Sequence, residues 1–154
     1  MSDTWIADIE YAVAELVRRL TATRPHNREV ATLDRSAYLI LHEVLHTPEP
    51  VTIQALARRL HVDVSTMSRQ IAAMKRKGLV TRMPASDNSR THGVCATPDG
   101  YTAFDAMRAA RQTVYREILR DWSGADQAQL ARVLQRLNHS IRHYQDRHHD
   151  ASGD

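Results

Sequence analysis

Four polar side chains lie close together near the middle of the 154-residue chain: Ser65, Thr66, Ser68 and Arg69. Short hydroxyl side chains can approach phosphates and reach base edges, and an arginine can read guanine or hold a phosphate. Met67, Ile71 and Met74 recur beside them at the period of one helix face, and Lys75 follows. A helix with one apolar face and one such polar face is what docking in the major groove of DNA requires.

The basic residues are concentrated in the same part of the chain. The whole chain has 21 Lys and Arg against 18 Asp and Glu, a formal net charge of +3. Residues 51–92 contain eight basic and two acidic residues, a net charge of +6, whereas the remainder contains 13 basic and 16 acidic residues, a net charge of −3. The eight are Arg58, Arg59, Arg69, Lys75, Arg76, Lys77, Arg82 and Arg90. Phosphate binding requires such a concentration of basic residues, which identifies the middle third as the predicted nucleic-acid surface.

The elements that must position these side chains form a helix–turn–helix pattern. A short helix is predicted after Thr52 and ends in a turn at residues 61–62. A second helix is predicted to start after Asp63 and to run to about Lys77. Thr and Asp are favoured at these starts because their side-chain oxygens accept the free backbone N–H groups of the first turn. Gly78 then ends the second helix, since glycine tolerates positive φ.

A hairpin is predicted directly after this segment. Leu79–Met83 and Val94–Ala96 are candidate strands, and the stretch between them is polar and rich in turn-forming residues. Arg90 lies near the tip of this loop, where a guanidinium can enter a minor groove.

Further helices flank the helix–turn–helix pattern on both sides. Apolar residues at alternating three- and four-residue spacing predict a helix over residues 2–20. Asp34, Thr97 and Ser123 are predicted N-caps of three more helices, of which the last two are long. The polar tail from residue 146 is expected to fray.

Composition and motif content exclude several classes of protein. A hydrophobic fraction of 42% is enough for a core, and a single cysteine excludes an internal disulfide framework and a multi-cysteine zinc site. No apolar stretch approaches the ~20 residues of a membrane helix, and the N-terminus lacks the pattern of a signal peptide. No phosphate-cradling glycine loop, nucleophile elbow or facing carboxylate pair is recognisable. We therefore expect a soluble cytoplasmic protein that is not an enzyme and has no cofactor, metal site or membrane attachment.

The chain resembles the MarR (multiple antibiotic resistance regulator) family of winged-helix transcription factors over about residues 5–145, most densely over residues 53–100. The matching motifs are Leu56-Ala57-Arg58-Arg59-Leu60, Thr66 with Ser68-Arg69, Lys77-Gly78-Leu79-Val80 with Arg82, Arg90, and Thr97-Pro98-Asp99-Gly100. The resemblance implies a mainly α fold with a small β-hairpin wing. Residues 33–97 would form a winged helix-turn-helix lobe, residues 1–32 and 98–147 a helical dimerisation region, and residues 148–154 a disordered tail.

The resemblance also implies a homodimer that binds a near-palindromic operator in double-stranded DNA, acting as a repressor that a small molecule releases. The apolar stripes of the first helix and of the last two helices independently favour a second subunit, because they exceed what one small lobe can cover. Two-fold symmetry then predicts half-sites about one helical turn, ~10 bp, apart.

Three groups of residues receive predicted roles. The recognition helix would contact DNA through Ser65, Thr66, Ser68, Arg69 and Lys75. The DNA backbone and wing contacts would come from Arg76, Lys77, Arg82, Asn88, Ser89 and Arg90. A small aromatic or phenolic ligand would lie between the dimer helices and the lobe, and its candidate contacts are Trp5, Tyr11, Tyr38, His42 and Arg111.

Three features, which together involve four positions, depart from the family pattern. Asn88-Ser89 stand where Asp-Arg is usual, which implies weaker or rearranged wing contacts. His61 occupies a turn position that is commonly glycine, so an uncommon backbone conformation is expected there. Ala96 replaces a common leucine.

Other readings of the sequence stay open. His139 and His143 are four residues apart on the last helix and could share an ion, although further ligands would have to come from elsewhere. Cys95 lies alone in a wing strand, where a buried hydrophobic role is the commoner one. The alternatives are therefore a metal- or redox-responsive regulator of the same fold, or a helical protein-interaction module that has lost DNA binding.

Overall fold

The computed structural model describes residues 4–22, 33–48, 50–85 and 91–150. For residues 149 and 150 it describes the backbone but not the side chains. The described residues form six helices and one two-stranded antiparallel sheet, the mainly α fold with a hairpin that the sequence predicts. In chain order the elements are α1 (Thr4–Ala22), α2 (Arg35–Leu45), α3 (Ile53–Leu60), α4 (Val64–Arg76), β1 (Val80–Pro84), β2 (His92–Ala96), α5 (Pro98–Ile118) and α6 (Gly124–Asp150).

The helix starts are set by side-chain caps at the predicted residues. Asp34 accepts from the Ala37 backbone N–H at 2.7 Å, and Thr52 accepts from the Ala55 N–H at 3.2 Å. Asp63 and Thr97 make the equivalent bonds at the starts of α4 and α5. Each oxygen satisfies one of the N–H groups that a first turn leaves unpaired, so these four starts are specified locally.

Two backbone positions fix the turns on either side of α4. His61 has φ 51° and ψ 48°, a left-handed conformation that agrees with the uncommon one expected at this position, and it ends α3 so that α4 can begin at residue 64. Gly78 has φ +72° and ends α4 before the chain enters β1. The left-handed region costs a non-glycine residue roughly 1–2 kcal/mol, which makes His61 a strained element of the helix–turn–helix.

The hairpin pairs β1 with β2 in antiparallel register from Val80 opposite Ala96 to Pro84 opposite His92. Both strands differ by one or two residues from the predicted ranges, because ladder pairing rather than side-chain type decides where a strand ends. Val51, just before α3, exchanges two backbone hydrogen bonds with Val94 at 3.1 and 2.8 Å. The base of the wing is thereby attached to the helix–turn–helix.

One hydrophobic core joins α2, α3, α4, the hairpin and the start of α5. Its most fully buried large side chains are Ile40, Leu41, Leu56, Met67, Ile71, Met107 and Val94. Phe104 and Met107 of α5 contribute to the same core, so the start of α5 packs against the elements from α2 to β2.

The first and last helices lie outside this core. No residue of α1 is buried, and every α6 residue whose side chain is described is at least partly exposed. The last helix runs to Asp150, so residues 148–150 are helical rather than part of the disordered tail that the sequence predicts. Ser123 caps α6 as expected, since its hydroxyl accepts from the Asp126 N–H at 3.1 Å. Among the residues described, no helix is long and apolar enough to span a membrane.

Candidate nucleic-acid interface

The fourth helix presents one buried face and one polar face. Met67, Ile71 and Met74 are 0%, 1% and 4% exposed, which anchors α4 on the core. Ser65 and Arg69 are exposed, and Thr66 and Ser68 are half-buried at the margin. The packing therefore leaves the predicted DNA-contacting side chains near the N-terminal end of α4 accessible while it fixes the helix that carries them.

Asp63 organises these polar side chains. Its Oδ1 accepts from the Thr66 backbone N–H at 2.7 Å and from the Ser65 hydroxyl. Its Oδ2 accepts from the Thr66 hydroxyl at 2.6 Å, and the Thr66 oxygen accepts from an Arg69 N–H at 3.2 Å. One carboxylate thus links the cap to the Ser65, Thr66 and Arg69 side chains in a single network.

The same hydrogen bonds keep this carboxylate ionised. Accepting from the Ser65 hydroxyl, and then from the Thr66 hydroxyl and backbone N–H, holds the pKa of Asp63 well below its usual range. An ionised carboxylate only accepts hydrogen bonds, so the Ser65 and Thr66 hydroxyls must direct their protons towards it.

The predicted phosphate contacts lie at the end of α4 and on the wing. Lys75, Arg76, Lys77 and Arg82 are all exposed. The predicted wing residues Asn88, Ser89 and Arg90 lie outside the described residues. Arg59, in contrast, donates to the Thr47 hydroxyl at 2.9 Å and lies 3.6 Å from a Glu43 carboxylate oxygen, so its charge is partly balanced within the lobe.

A second cluster of candidate residues lies between α2 and α5. The Tyr38 and Phe104 rings stack with centroids 4.9 Å apart, and the Arg111 guanidinium lies 4.6 Å from the centre of the Tyr38 ring. The buried Nε of Arg111 has no hydrogen-bond partner among the described residues. His42 stacks on His46 at 4.1 Å and its centroid is 6.2 Å from that of Phe104.

The structure therefore brings together three of the five residues predicted to contact a ligand: Tyr38, His42 and Arg111. The other two, Trp5 and Tyr11, are 73% and 69% exposed on α1 and do not join this cluster in the single chain. Phe104 also belongs to this cluster, although the sequence predicts no ligand contact for it. Helical periodicity predicts which face is buried, but it does not say which ring on another helix that face meets.

Comparison with known proteins identifies the fold. A family model described as the MarR family matches residues 31–90. An uncharacterised HTH-type transcriptional regulator of Bacillus subtilis (strain 168), YxaD, is 30% identical over 130 residues, which cover 84% of this chain and 90% of the relative. The chain belongs to the MarR family. Its helix–turn–helix and wing are therefore those of a DNA-binding transcriptional regulator.

Solved structures of MarR proteins share the fold over almost the whole chain. A MarR family protein from Bacillus stearothermophilus superposes with a TM-score of 0.74 at 18% identity, covering 92% of this chain and 98% of that one. An organohalide-sensing transcriptional regulator in its 2,4-dichlorophenol-bound form superposes with a TM-score of 0.67 at 17% identity, covering 87% of this chain and 82% of that one. At these identities the similarity is one of fold.

Two other candidate sites of this MarR chain have simple geometries. The Nε2 atoms of His139 and His143 are 3.0 Å apart and share a hydrogen bond. Within the described ranges, no three His, Cys, Asp or Glu side chains are grouped closely enough to hold a metal ion together. Cys95 is a half-buried free thiol in β2, opposite Thr81 of β1.

Sequence reasoning assigned Asp63 a capping role and missed its bonds to the hydroxyls. The available signal was the run of Ser65 and Thr66 shortly after an Asp cap, since short side chains at these spacings can reach a capping carboxylate.

The contact between α6 and the turn that joins α3 to α4 was also missed. The His61 Nε2 atom lies 3.8 Å from an Asp146 carboxylate oxygen, which places the end of α6 beside the strained turn of the helix–turn–helix.

Proposed function

We propose that this MarR-family chain acts in the cytoplasm as a homodimeric repressor that binds a near-palindromic operator and is released by a small molecule. The observation that supports this most strongly is the geometry of α4. Three buried side chains fix the helix on the core, and an ordered set of hydroxyl and guanidinium groups stays accessible on its other side. A recognition helix needs both features at once.

In this proposal the polar side chains divide into two classes of contact. Ser65, Thr66, Ser68, Arg69 and Lys75 enter the major groove. Arg76, Lys77 and Arg82 bind phosphates, and Asn88, Ser89 and Arg90 form the wing contact. Phosphate contacts fix the register of the protein on the duplex, and base contacts specify its sequence.

The exposed apolar faces of α1 and α6 support the dimer. Seven large hydrophobic side chains of α1 are at least 37% exposed in the single chain, and they are Trp5, Ile6, Ile9, Tyr11, Val13, Leu16 and Val17. Val133, Leu134, Ile141 and Tyr144 of α6 are also exposed. Contiguous apolar surface of this kind marks an interaction site. We assign residues 1–32 and 98–147, with the observed extension of α6, to the dimer region, and residues 33–97 to the DNA-binding lobe.

The cluster between α2 and α5 supports a ligand of aromatic or phenolic character. Tyr38 and Phe104 offer aromatic surface, and Arg111 offers an N–H group that has no hydrogen-bond partner in the part of the chain that the structure describes. The cluster joins the lobe to the helix that leads out of it, so a molecule inserted there would change the angle between lobe and dimer region. Such a ligand weakens DNA binding only if it prefers the dimer shape that does not fit the operator.

Arg69→Ala tests the assignment of α4 as the DNA-reading helix. A duplex selected by the wild-type protein from a random pool serves as the specific probe, and the unselected pool serves as the non-specific one. We expect Arg69→Ala to lower the affinity for the selected duplex about 10- to 100-fold, the usual value of one base contact, and to change the affinity for the pool far less.

Arg116→Ala is the matched control, since it removes the same charge from an exposed position of α5 outside the lobe. An equal loss by Arg69→Ala on both probes would reassign Arg69 to the phosphates. Failure of the wild-type protein to select any duplex would favour the alternative of a protein-interaction module.

A further inference from the structure

We propose that Asp63 sets the base preference of the recognition helix by turning the hydroxyl protons of Ser65 and Thr66 away from DNA. The two hydroxyls then present only acceptor lone pairs to the major groove. This inference rests on the proposed DNA-reading role of α4 and names the bases that this helix selects.

The number of protons limits what the Ser65 and Thr66 hydroxyls can offer to DNA. A serine or threonine hydroxyl has one proton and two lone pairs. The Ser65 proton is donated to Asp63 Oδ1, and the Thr66 proton is donated to Asp63 Oδ2 at 2.6 Å. No second proton remains on either oxygen, so each can only accept a hydrogen bond from DNA.

Base edges differ in what they offer to such an acceptor. In the major groove, adenine and cytosine present an amino group that donates, whereas guanine N7 and O6, thymine O4 and the phosphate oxygens only accept. The two hydroxyls therefore suit adenine or cytosine and are poorly matched to guanine, thymine and phosphate. Because both protons are donated to Asp63, these hydroxyls cannot donate to phosphates, as serine and threonine hydroxyls usually do.

Arg69 has the opposite character. One of its N–H groups points to the Thr66 oxygen at 3.2 Å, and the guanidinium keeps further N–H groups for other acceptors. Guanine N7 and O6 are the acceptors that an arginine reads best. The network thus pairs an acceptor site for adenine or cytosine with a donor site for guanine on adjacent turns of one helix.

Asp63 makes more bonds than a cap requires. An N-cap needs one oxygen to accept from the backbone N–H of the third residue, as Asp34 does at the start of α2. Asp63 makes that same bond to Thr66 and two additional bonds to side chains. These two additional bonds direct the hydroxyls that face DNA. Asp34→Asn is therefore a matched control for Asp63→Asn, because it makes the same substitution at an N-cap that holds no such hydroxyls.

An ionised carboxylate beside the DNA also repels phosphates. This repulsion weakens every non-specific complex. In the specific complex, the base contacts that Asp63 arranges offset the repulsion. Replacement of Asp63 with the neutral Asn is therefore expected to strengthen binding to random DNA about threefold per half-site, the effect of one screened unit charge near the surface.

The test compares the duplexes that four full-length proteins select from one randomised pool: wild type, Asp63→Asn, Asp34→Asn, and the double variant Ser65→Ala with Thr66→Val. In Asp63→Asn the amide oxygen can keep the cap, but its N–H₂ group faces the Thr66 oxygen and turns the hydroxyl proton outward. We expect the adenine or cytosine preference beside the Arg69 guanine to be lost or to change to guanine or thymine. We expect Asp34→Asn to select the wild-type sequence.

The double variant keeps Asp63 and removes both hydroxyls. We expect it to lose the adenine or cytosine preference without the gain in affinity for random DNA. It also keeps the inference testable if Asp63→Asn fails to fold. Selection of the wild-type sequence by either the Asp63→Asn protein or the double variant would overturn the inference, whereas a wild-type protein that selects no sequence would overturn the proposed function instead.

Discussion

Truncation of Ile9 to alanine tests the assignment of α1 to the dimer interface. Ile9 is 52% exposed in the single chain and lies in the apolar stripe of α1. In the proposed dimer a second subunit buries the exposed half of this side chain. Alanine at this position leaves the core of the lobe untouched, because no α1 residue is buried in it.

The expected magnitude follows from the exposed fraction. Ile→Ala removes three carbons, and each buried CH₂ is worth about 0.8 kcal/mol. About half of that total, ~1.2 kcal/mol per copy, comes from burial against the partner. Two-fold symmetry repeats the loss, so the dimer is weakened by ~2.4 kcal/mol and its dissociation constant rises about 50-fold.

Sedimentation equilibrium over a range of protein concentrations measures this constant. Arg18→Ala is the matched control, since residue 18 lies on the opposite side of α1 and is exposed. We expect it to leave the constant unchanged. An Ile9→Ala constant equal to that of the wild type would refute the assignment of this stripe, and a wild-type protein that sediments near 17.5 kDa at all concentrations would refute the dimer.

Two further predictions concern the wing and the ligand cluster. Arg90→Ala should weaken operator binding in a fluorescence anisotropy titration while the dimer stays intact by sedimentation, and unchanged affinity would show that the altered wing makes no contribution. With phenol as the probe, a small molecule of the proposed ligand class, Arg111→Met should lose the release of operator DNA that we propose for the wild type, because its side chain has no N–H group. Equal release from both proteins would remove Arg111 from the ligand site.

The local features of the fold were predictable because they depend on short-range chemistry. Asp34, Thr52, Asp63 and Thr97 cap their helices where the sequence places them, since an N-cap involves residues only three apart. An uncommon backbone conformation at His61 was expected from the family resemblance, because glycine is common at this position, and its positive φ agrees with that expectation.

Features that depend on contacts between distant residues were not predictable in the same way. The stacking of Tyr38 on Phe104 joins residues 66 positions apart in sequence, and periodicity carries no information about that pairing. The helical extension of α6 to Asp150 does not follow from composition, because a polar segment suits an exposed helix as well as a frayed end. The proton directions around Asp63 required the relative positions of three side chains, which spacing alone does not give.

We propose above all that α4 lies in the major groove with Arg69 on a guanine. Methylation interference on the duplex selected by the wild-type protein tests this directly, because the methyl group is placed on guanine N7 in that groove. We predict two groups of interfering guanines, centred ~10 bp apart as two-fold symmetry requires, and loss of the interference at one guanine of each group in Arg69→Ala. Absence of any interfering guanine, or the same pattern in wild type and Arg69→Ala, would contradict the claim.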